Sequence, residues 1–320
     1  MELKEYLEKT ALQVDKMINR YFGDTCDDLG KASAHLLMAG GKRLRPAMLL
    51  LAADACVKGS SIDVMPAAIS LELTHSFTLI HDDIMDEDTV RRGVPTVHTV
   101  WDEPTAILAG DVLFASAFEF LCLADAPENA KVRAVSMLAR TCIDICEGQH
   151  MDMSFETRDD VSEGEYMTMV GKKTGALYAA AAGIGGILAG GKPTYIDALY
   201  HYGYGIGMAF QVQDDIIDLM ASKEISGKDQ ASDLREGKQT LINIKAREKG
   251  IDLSPYRKEL TPEEIDEVIA LLRKEGVIDE VQAISRDLVD SGITRIGILP
   301  DSPEKQLLLS MGSHFITRSY

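Results

Sequence analysis

The chain is short of cysteine, of positive charge and of strand-like patterning. Its 320 residues include five cysteines: Cys26, Cys56, Cys122, Cys142 and Cys146. This odd, sparse set, mostly in apolar stretches, gives no disulfide framework and reads as reduced core thiols of a cytoplasmic protein. Lys and Arg total 33 against 51 Asp and Glu, a net charge of -18. That balance argues against a nucleic-acid or anionic-membrane surface, where affinity rests on massed cations. Local basic clusters remain free to serve a small anionic substrate. The start, Met1-Glu2-Leu3-Lys4-Glu5, carries no apolar core of a secretory signal. The longest run without charge extends from Thr174 to Gly191, near membrane-span length. It is mostly Ala and Gly, which contribute little transfer energy. A closely packed core helix ending near Gly183 to Gly186 is expected there, with no membrane span.

Apolar residues recur at helical spacing almost throughout, as in Leu3, Leu7, Leu12 and Val14, or Ile107, Leu108, Val112, Leu113, Ala117, Phe118 and Leu121. The best strand candidate is Ile293 to Leu299. Thr261-Pro262-Glu263-Glu264 has the form of an N-cap, a proline at N1 and a capping-box glutamate at N3. Breaks fall at Ala39-Gly40-Gly41, Gly93-Val94-Pro95, Ala126-Pro127-Glu128, Gly190-Gly191-Lys192-Pro193 and Leu253-Ser254-Pro255. The connections are short and no linker divides the chain. One all-α domain over residues 1–320 is expected, a large helical bundle with a central cavity.

Two carboxylate clusters share one spacing: Asp82-Asp83-Ile84-Met85-Asp86 and Asp214-Asp215-Ile216-Ile217-Asp218. On a helix, residues four apart lie on one face, so Asp82 projects with Asp86 and Asp214 with Asp218. Two such helices facing one cavity would gather mutually repelling charge that only cations could offset. Hard oxygen donors favour Mg²⁺, which binds through one or two carboxylates and shares its other positions with phosphates and water. Basic segments alternate with the clusters: Gly40-Gly41-Lys42-Arg43-Leu44-Arg45-Pro46, Arg91-Arg92-Gly93, Gly171-Lys172-Lys173-Thr174, Gly227-Lys228-Asp229 and Gly237-Lys238-Gln239-Thr240. Glycine permits close backbone approach, and Lys and Arg bind phosphate oxygens. The alternation points to a site that handles diphosphates.

In these segments, together with Phe210-Gln211-Val212-Gln213-Asp214-Asp215, the chain resembles the trans-isoprenyl diphosphate synthase family, over roughly residues 35–245. The likeness is greatest to archaeal-type geranylgeranyl diphosphate synthases. It implies a Mg²⁺-dependent prenyltransferase that joins isopentenyl diphosphate to an allylic diphosphate, and it implies a homodimer. Asp82, Asp86 and Asp214 would hold three Mg²⁺ ions, supported by Asp83, Asp215 and Asp218. Arg91, Lys173 and Lys238 would grip the allylic diphosphate. Thr174, Gln211 and Lys228 would line the reacting centre, with Lys173 also counted as catalytic. Lys42, Arg45, His75 and Arg92 would bind isopentenyl diphosphate.

The resemblance also makes Phe77 the floor that limits chain growth. Helical geometry is less direct, since Phe77 lies about 140° around the helix from Asp82 and Thr78 only about 40°. An aromatic residue there implies mainly a C20 product, with C15 as the shorter outcome. A rival reading is a di-iron carboxylate bundle using Glu72 with His75 and Glu147 with His150. Cys142, Cys146 and His150 share one helix face and could together ligate zinc. A terpene cyclase would share the first aspartate cluster but not an Asp-rich second one. The single arginine in Phe315-Ile316-Thr317-Arg318-Ser319-Tyr320 offers little for a basic closing tail, and no function is assigned beyond about residue 250.

Overall fold

A computed structural model describes residues 1–220 and 230–316. Helices dominate it. In chain order they are α1 (Leu3–Phe22), α2 (Asp28–Met38), α3 (Leu44–Cys56), α4 (Met65–Met85), α5 (Val97–Val100), α6 (Glu103–Cys122), α7 (Glu128–Phe155) and α8 (Glu163–Val170). A π-helical turn, Gly171–Gly175, leads into α9 (Ala176–Leu188). Then come α10 (Pro193–Met220), α11 (Ser232–Glu236), α12 (Leu241–Glu248), α13 (Pro262–Lys274), α14 (Val277–Arg295) and α15 (Pro303–Ile316). Among the described residues the only strands are β1 (Val90–Arg91) and β2 (Val94–Pro95), an antiparallel pair with Arg91 opposite Val94. The expected strand at Ile293 to Leu299 is instead the end of α14 and a 3-10 turn, Ile296–Ile298. Burial of Ile296 and Leu299 explains why those positions are apolar without any strand.

The helix signals at Thr261 hold in full. Thr261 accepts from the Glu264 backbone, Glu264 reaches back to the Thr261 backbone, and Pro262 opens α13. None of the five expected breaks interrupts an α-helix: that at Gly93-Val94-Pro95 lies in the β-hairpin, that at Leu253-Ser254-Pro255 runs into a 3-10 turn, and the other three fall where one helix ends and the next begins. Two readings change. Leu12 and the α6 residues Ile107, Leu108 and Val112 face outward; α1 buries Thr10, Val14 and Ile18 instead, and α6 buries Leu113, Ala117 and Leu121. The spacing was helical, but the apolar stripe on α6 is wider than the buried one. None of the five cysteines is in a disulfide, yet Cys26, Cys122 and Cys146 are exposed, Cys56 is half-buried and only Cys142 lies in the core.

The chain forms two compact units. The first comprises Met1–Cys142, Ala180–Tyr200 and Ile298–Ser310; the second comprises Ile143–Ala179, His201–Gly297 and Met311–Tyr320. In the first, α4 is buried along nearly its whole length, from Ala67 to Ile80. The expected core helix continues past Gly186 to Leu188. Its glycines mark contacts rather than a terminus: a Cβ at Gly185 would collide with the Leu49 carbonyl oxygen, and one at Gly183 would sit 2.9 Å from Met137 Sδ. In the second unit, the C-terminal Phe315 is fully buried, with ring centroids 5.8 Å from Tyr178 and 5.2 Å from Phe210. Among the described residues, α6 is the one helix long and apolar enough to cross a membrane.

Backbone at Leu49 cannot rotate away as a side-chain tip can. Gly185→Ala is therefore expected to destabilise the protein by about 1–3 kcal/mol, the usual range for overpacking, read as a lower urea midpoint at unchanged slope.

Candidate active site

The first aspartate cluster terminates α4. Asp86 is the residue that closes the helix, and its N–H still donates to Asp82 O at 2.8 Å, so the two remain one turn apart. Asp82 is half-buried, Asp86 is exposed and Asp83 is fully buried. Asp83 turns inward because neighbouring helical residues point about 100° apart. It accepts from Arg91 Nε at 2.7 Å. Burial lifts its carboxyl above the usual range against the pull of Arg91. Burial alone would lower Arg91, but Asp83, Asp88 and Asp82 outweigh it and raise it. Both clustered carboxylates and the negative end of the α4 dipole thus concentrate negative potential where Asp82 and Asp86 emerge.

Arg91 and Arg92 come from the hairpin. Arg92 and Gly93 both have positive φ (54° and 77°), the requirement of a two-residue type I′ turn. Gly40 (φ 84°) and the left-handed Arg43 (φ 47°) shape the turn that opens α3. Lys42 is exposed there, Arg45 half-buried and Arg43 buried. His75, on α4, is held neutral: burial, then Arg45, Arg92, Arg43 and Arg91, keep its pKa well below the ordinary value. Phe77 is buried on the same helix. Its ring lies edge-on to Phe114 of α6, with centroids 5.2 Å apart, and 6.0 Å from His81.

In the second unit the π-helical turn carries Lys173 and Thr174. Its extra residue per turn is accommodated by close backbone packing: a Cβ at Gly148 would collide with Lys173 N, and one at Gly207 would come within 2.9 Å of Gly175 Cα. π-turns of this kind are common at functional sites. Thr174 Oγ1 donates to Gln211 Oε1 at 3.1 Å. Gln211 Nε2 donates to Asp215 Oδ1 at 3.0 Å, and Tyr166 Oη donates to Asp215 Oδ2 at 2.5 Å. Burial, then the nearby Asp233, push the Asp215 carboxyl well above the usual range. Asp218 accepts from Ser232 Oγ at 2.6 Å and from the Asp233 backbone at 3.0 Å, so it sits at the start of α11. Asp214 is half-buried. Lys173 donates to Asp152 at 2.5 Å, and Lys238, exposed, lies 3.2 Å from Glu236 and 3.5 Å from Asp233. Lys228 lies outside the described residues.

Several participants were not singled out from the sequence. Tyr166 and Asp233 meet Asp215 only through the fold, and Asp152 meets Lys173 across 21 positions. No local spacing marks Asp152: it stands one turn after Gly148, whose close approach to the Lys173 backbone exists only in the fold. The di-iron reading fails on its own ligands. Glu72 is occupied by Arg43 and Arg92, Glu147 pairs with Lys172, and His150 is exposed. Among the described residues, no three or more His, Cys, Asp or Glu side chains gather as a preformed metal site, Cys142, Cys146 and His150 included.

An all-helical scaffold with an Asp-Asp-x-x-Asp cluster near the end of a helix in each unit is that of the isoprenoid synthases. A family profile described as Polyprenyl synthetase matches residues 27–272. A geranylgeranyl diphosphate synthase of Methanosarcina mazei is 46% identical over 323 aligned positions, covering 100% of this chain and 99% of that protein. A geranylfarnesyl diphosphate synthase of Natronomonas pharaonis is also 46% identical, covering 91% of this chain and 90% of that one. The solved geranylgeranyl pyrophosphate synthetase of Geoglobus acetivorans superposes with a TM-score of 0.91 at 43% identity, covering 98% and 99% of the two chains. The chain belongs to the polyprenyl synthetase family of chain-elongating trans-prenyltransferases.

The raised pKa of Asp215 has a sign that can be checked. The native state retains a proton that the unfolded chain releases near pH 4, so this group costs stability as pH rises. In metal-free buffer, Asp215→Asn is expected to lose less stability between about pH 4 and pH 8 than the parent; denaturant titrations across that range measure it.

Proposed function

We propose that this chain condenses isopentenyl diphosphate with an allylic diphosphate to give mainly the C20 product geranylgeranyl diphosphate, with C15 farnesyl diphosphate as the shorter outcome. The observation that carries the length assignment is Phe77, buried on α4 five positions before Asp82 and backed edge-on by Phe114. At helical rise this puts the aromatic ring about 7.5 Å below the first aspartate along the axis. Identity alone does not choose a length, since relatives named for geranylgeranyl and for geranylfarnesyl products are equally similar.

The residues suit Mg²⁺. Asp82, Asp86 and Asp214 are hard oxygen donors that are exposed or half-buried, and Asp83 and Asp215 beside them are buried and held by Arg91, Gln211 and Tyr166. An ion that keeps water and shares substrate phosphates needs only one or two carboxylates, not a closed protein cage. Asp82, Asp86 and Asp214 would hold the ions, three in number, with Asp83, Asp215 and Asp218 fixing the surrounding structure. Bound Mg²⁺ supplies Lewis-acid neutralisation of the departing diphosphate.

The chain's own groups do the rest. Arg91, Lys173, Lys238 and Lys228 grip the allylic diphosphate and offset the charge that develops on it as the C–O bond breaks. Thr174 and Gln211 present neutral dipoles to the allylic cation, and the Gln211–Asp215–Tyr166 bonds hold that amide in one orientation. Lys42, Arg45 and Arg92 bind isopentenyl diphosphate. Neutral His75 adds a hydrogen bond without adding charge. The double bond of isopentenyl diphosphate attacks the cation, and the proton then lost goes to the released diphosphate. Apolar walls around Phe77 exclude water that would quench the cation.

The protein works as a homodimer in the cytoplasm. Support comes from α6, where Leu108 is 53% and Phe114 39% exposed beside Ile107 and Val112. Exposed Asp111 and Glu119 interrupt this face, which suits a second copy better than a lipid core. The whole chain acts as one prenyltransferase domain. Support for this is that α7, α9, α10 and α15 each run from one compact unit into the other.

Asp82→Ala is expected to lower turnover at least roughly a thousand-fold, matching several kcal/mol of lost charge neutralisation, with helical circular dichroism unchanged. EDTA should have the same effect on the parent, reversed by Mg²⁺; full activity in either case would contradict the assignment. Phe77→Ala should cost about 3–5 kcal/mol of stability and shift products beyond C20 in a chromatographed assay run well below its Tm. An unchanged product profile would remove the floor.

A further inference from the structure

The sequence singled out Glu72-Leu73-Thr74-His75 as an iron-type motif, and the prenyltransferase reading leaves Glu72 without a task. Glu72 is 2% exposed, one turn before His75 on α4. Two guanidinium groups converge on its Oε1. Arg43 donates at 2.5 Å, and Arg92 at 3.3 Å. They arrive from different segments, Arg43 from the turn opening α3 and Arg92 from the hairpin turn. Both arginines have left-handed backbones, φ 47° and 54°. Such conformations are uncomfortable for a residue with a side chain, and persist where surrounding bonds over-determine them.

The two arginines differ in what remains available. Arg43 is 3% exposed, and each of its guanidinium nitrogens donates inside the protein: Nε to Asp15, one terminal nitrogen to Glu72 and the other to Leu37 O at 2.7 Å. It is not turned toward a ligand, although Lys42 and Arg45 flank it. Arg92 is half-buried. Its guanidinium donates to Gly40 O at 2.7 Å and Leu36 O at 3.1 Å, and a Cβ on Gly41 would come within 3.3 Å of it. Removing the Glu72 charge would leave Arg43 and Arg92 facing each other as like charges at short range.

We propose that Glu72 and Arg43 are positioning residues for the isopentenyl diphosphate subsite: their buried pair fixes the direction of Arg92 and ties the Gly40–Arg45 turn to α4, so that Lys42, Arg45 and Arg92 converge on one diphosphate. This rests on the reading of Lys42, Arg45, His75 and Arg92 as that subsite. Neither Glu72 nor Arg43 touches substrate. Their effect is selective, because the groups they orient serve one of the two substrates.

The test separates the substrates by steady-state kinetics with full-length protein. In Glu72→Gln, KM for isopentenyl diphosphate should rise at least about ten-fold, the size of one lost charge-assisted hydrogen bond, while KM for the allylic diphosphate and the product length stay as in the parent. Glu72→Asp keeps the carboxylate but withdraws it, and should show the same selective rise, smaller than that of the amide. It also serves as the readout should Glu72→Gln not fold. Arg43→Lys, which keeps charge but loses the planar fork, should likewise raise only the isopentenyl diphosphate KM. Equal losses for both substrates, or an unchanged isopentenyl diphosphate KM in the folded variants, would overturn the proposal. Lys42→Ala is the control for the underlying reading: if it leaves isopentenyl diphosphate KM unchanged, the subsite is elsewhere. If Lys42→Ala raises that KM and the Glu72 variants do not, only the positioning role fails.

Discussion

A carboxylate inside an apolar helical scaffold must be compensated, because an unpaired buried charge costs several kcal/mol. Much of the charged architecture here answers that requirement. Asp83 is met by Arg91, Asp218 by Ser232 and the start of α11, and Glu72 by Arg43 and Arg92, whereas Asp215, bonded to Tyr166 and Gln211, is pushed toward its neutral form by burial. Asp82, Asp86 and Asp214 lie nearer solvent. The middle aspartate of each Asp-Asp-x-x-Asp cluster therefore differs in kind from the first. Adjacent helical residues diverge by about 100°, so one points into the protein, where it must be bonded, and the other toward solvent.

The same logic governs the π-turn and its neighbours. Lys173 and Thr174 sit on a π-turn, whose hydrogen-bond pattern rotates them relative to the regular helices on either side. Glycines at 148, 175 and 207 let backbone approach backbone around that turn. Thr174, Gln211, Asp215 and Tyr166 then form a chain of hydrogen bonds that fixes the Thr174 hydroxyl, the Gln211 amide and the Tyr166 phenol. Orientation set before substrate arrives lowers the reorganisation required during reaction. The C-terminal helix contributes from behind, with Phe315 packed against Tyr178 and Phe210, the latter adjacent to Gln211.

Phe77 belongs to the packing of the α4–α6 layer. Phe77, Phe114 and Phe118 form a run of edge-to-face contacts, and Gly110 leaves room for His81 against α6. Large rigid rings make a defined layer, because they lose little conformational entropy and yield little under compression. Phe114 is exposed on the outer side of this layer, so whatever covers α6 also borders these rings.

Helical character, the boundaries at Gly and Pro breaks, the capping box at Thr261 and the two aspartate clusters were legible in order along the chain. Each depends on local spacing or on a residue's own backbone preference, and both survive without knowledge of the fold. The resemblance supplied Phe77, Thr174 and Gln211, which spacing alone did not. What stayed illegible was long-range or conformational. The outward turn of Leu12 and Ile107, the helical state of Ile293 to Leu299, the π-turn, and the pairing of Glu72 with Arg43 rather than with a metal all follow from which surfaces meet. By itself, the sequence determined that this protein is helical and carries diphosphate-type cation and carboxylate clusters. Only the tertiary structure decided which aspartates and arginines are sealed inside and which lie nearer solvent. Burial is a relation between segments far apart in the chain, and no local pattern encodes it.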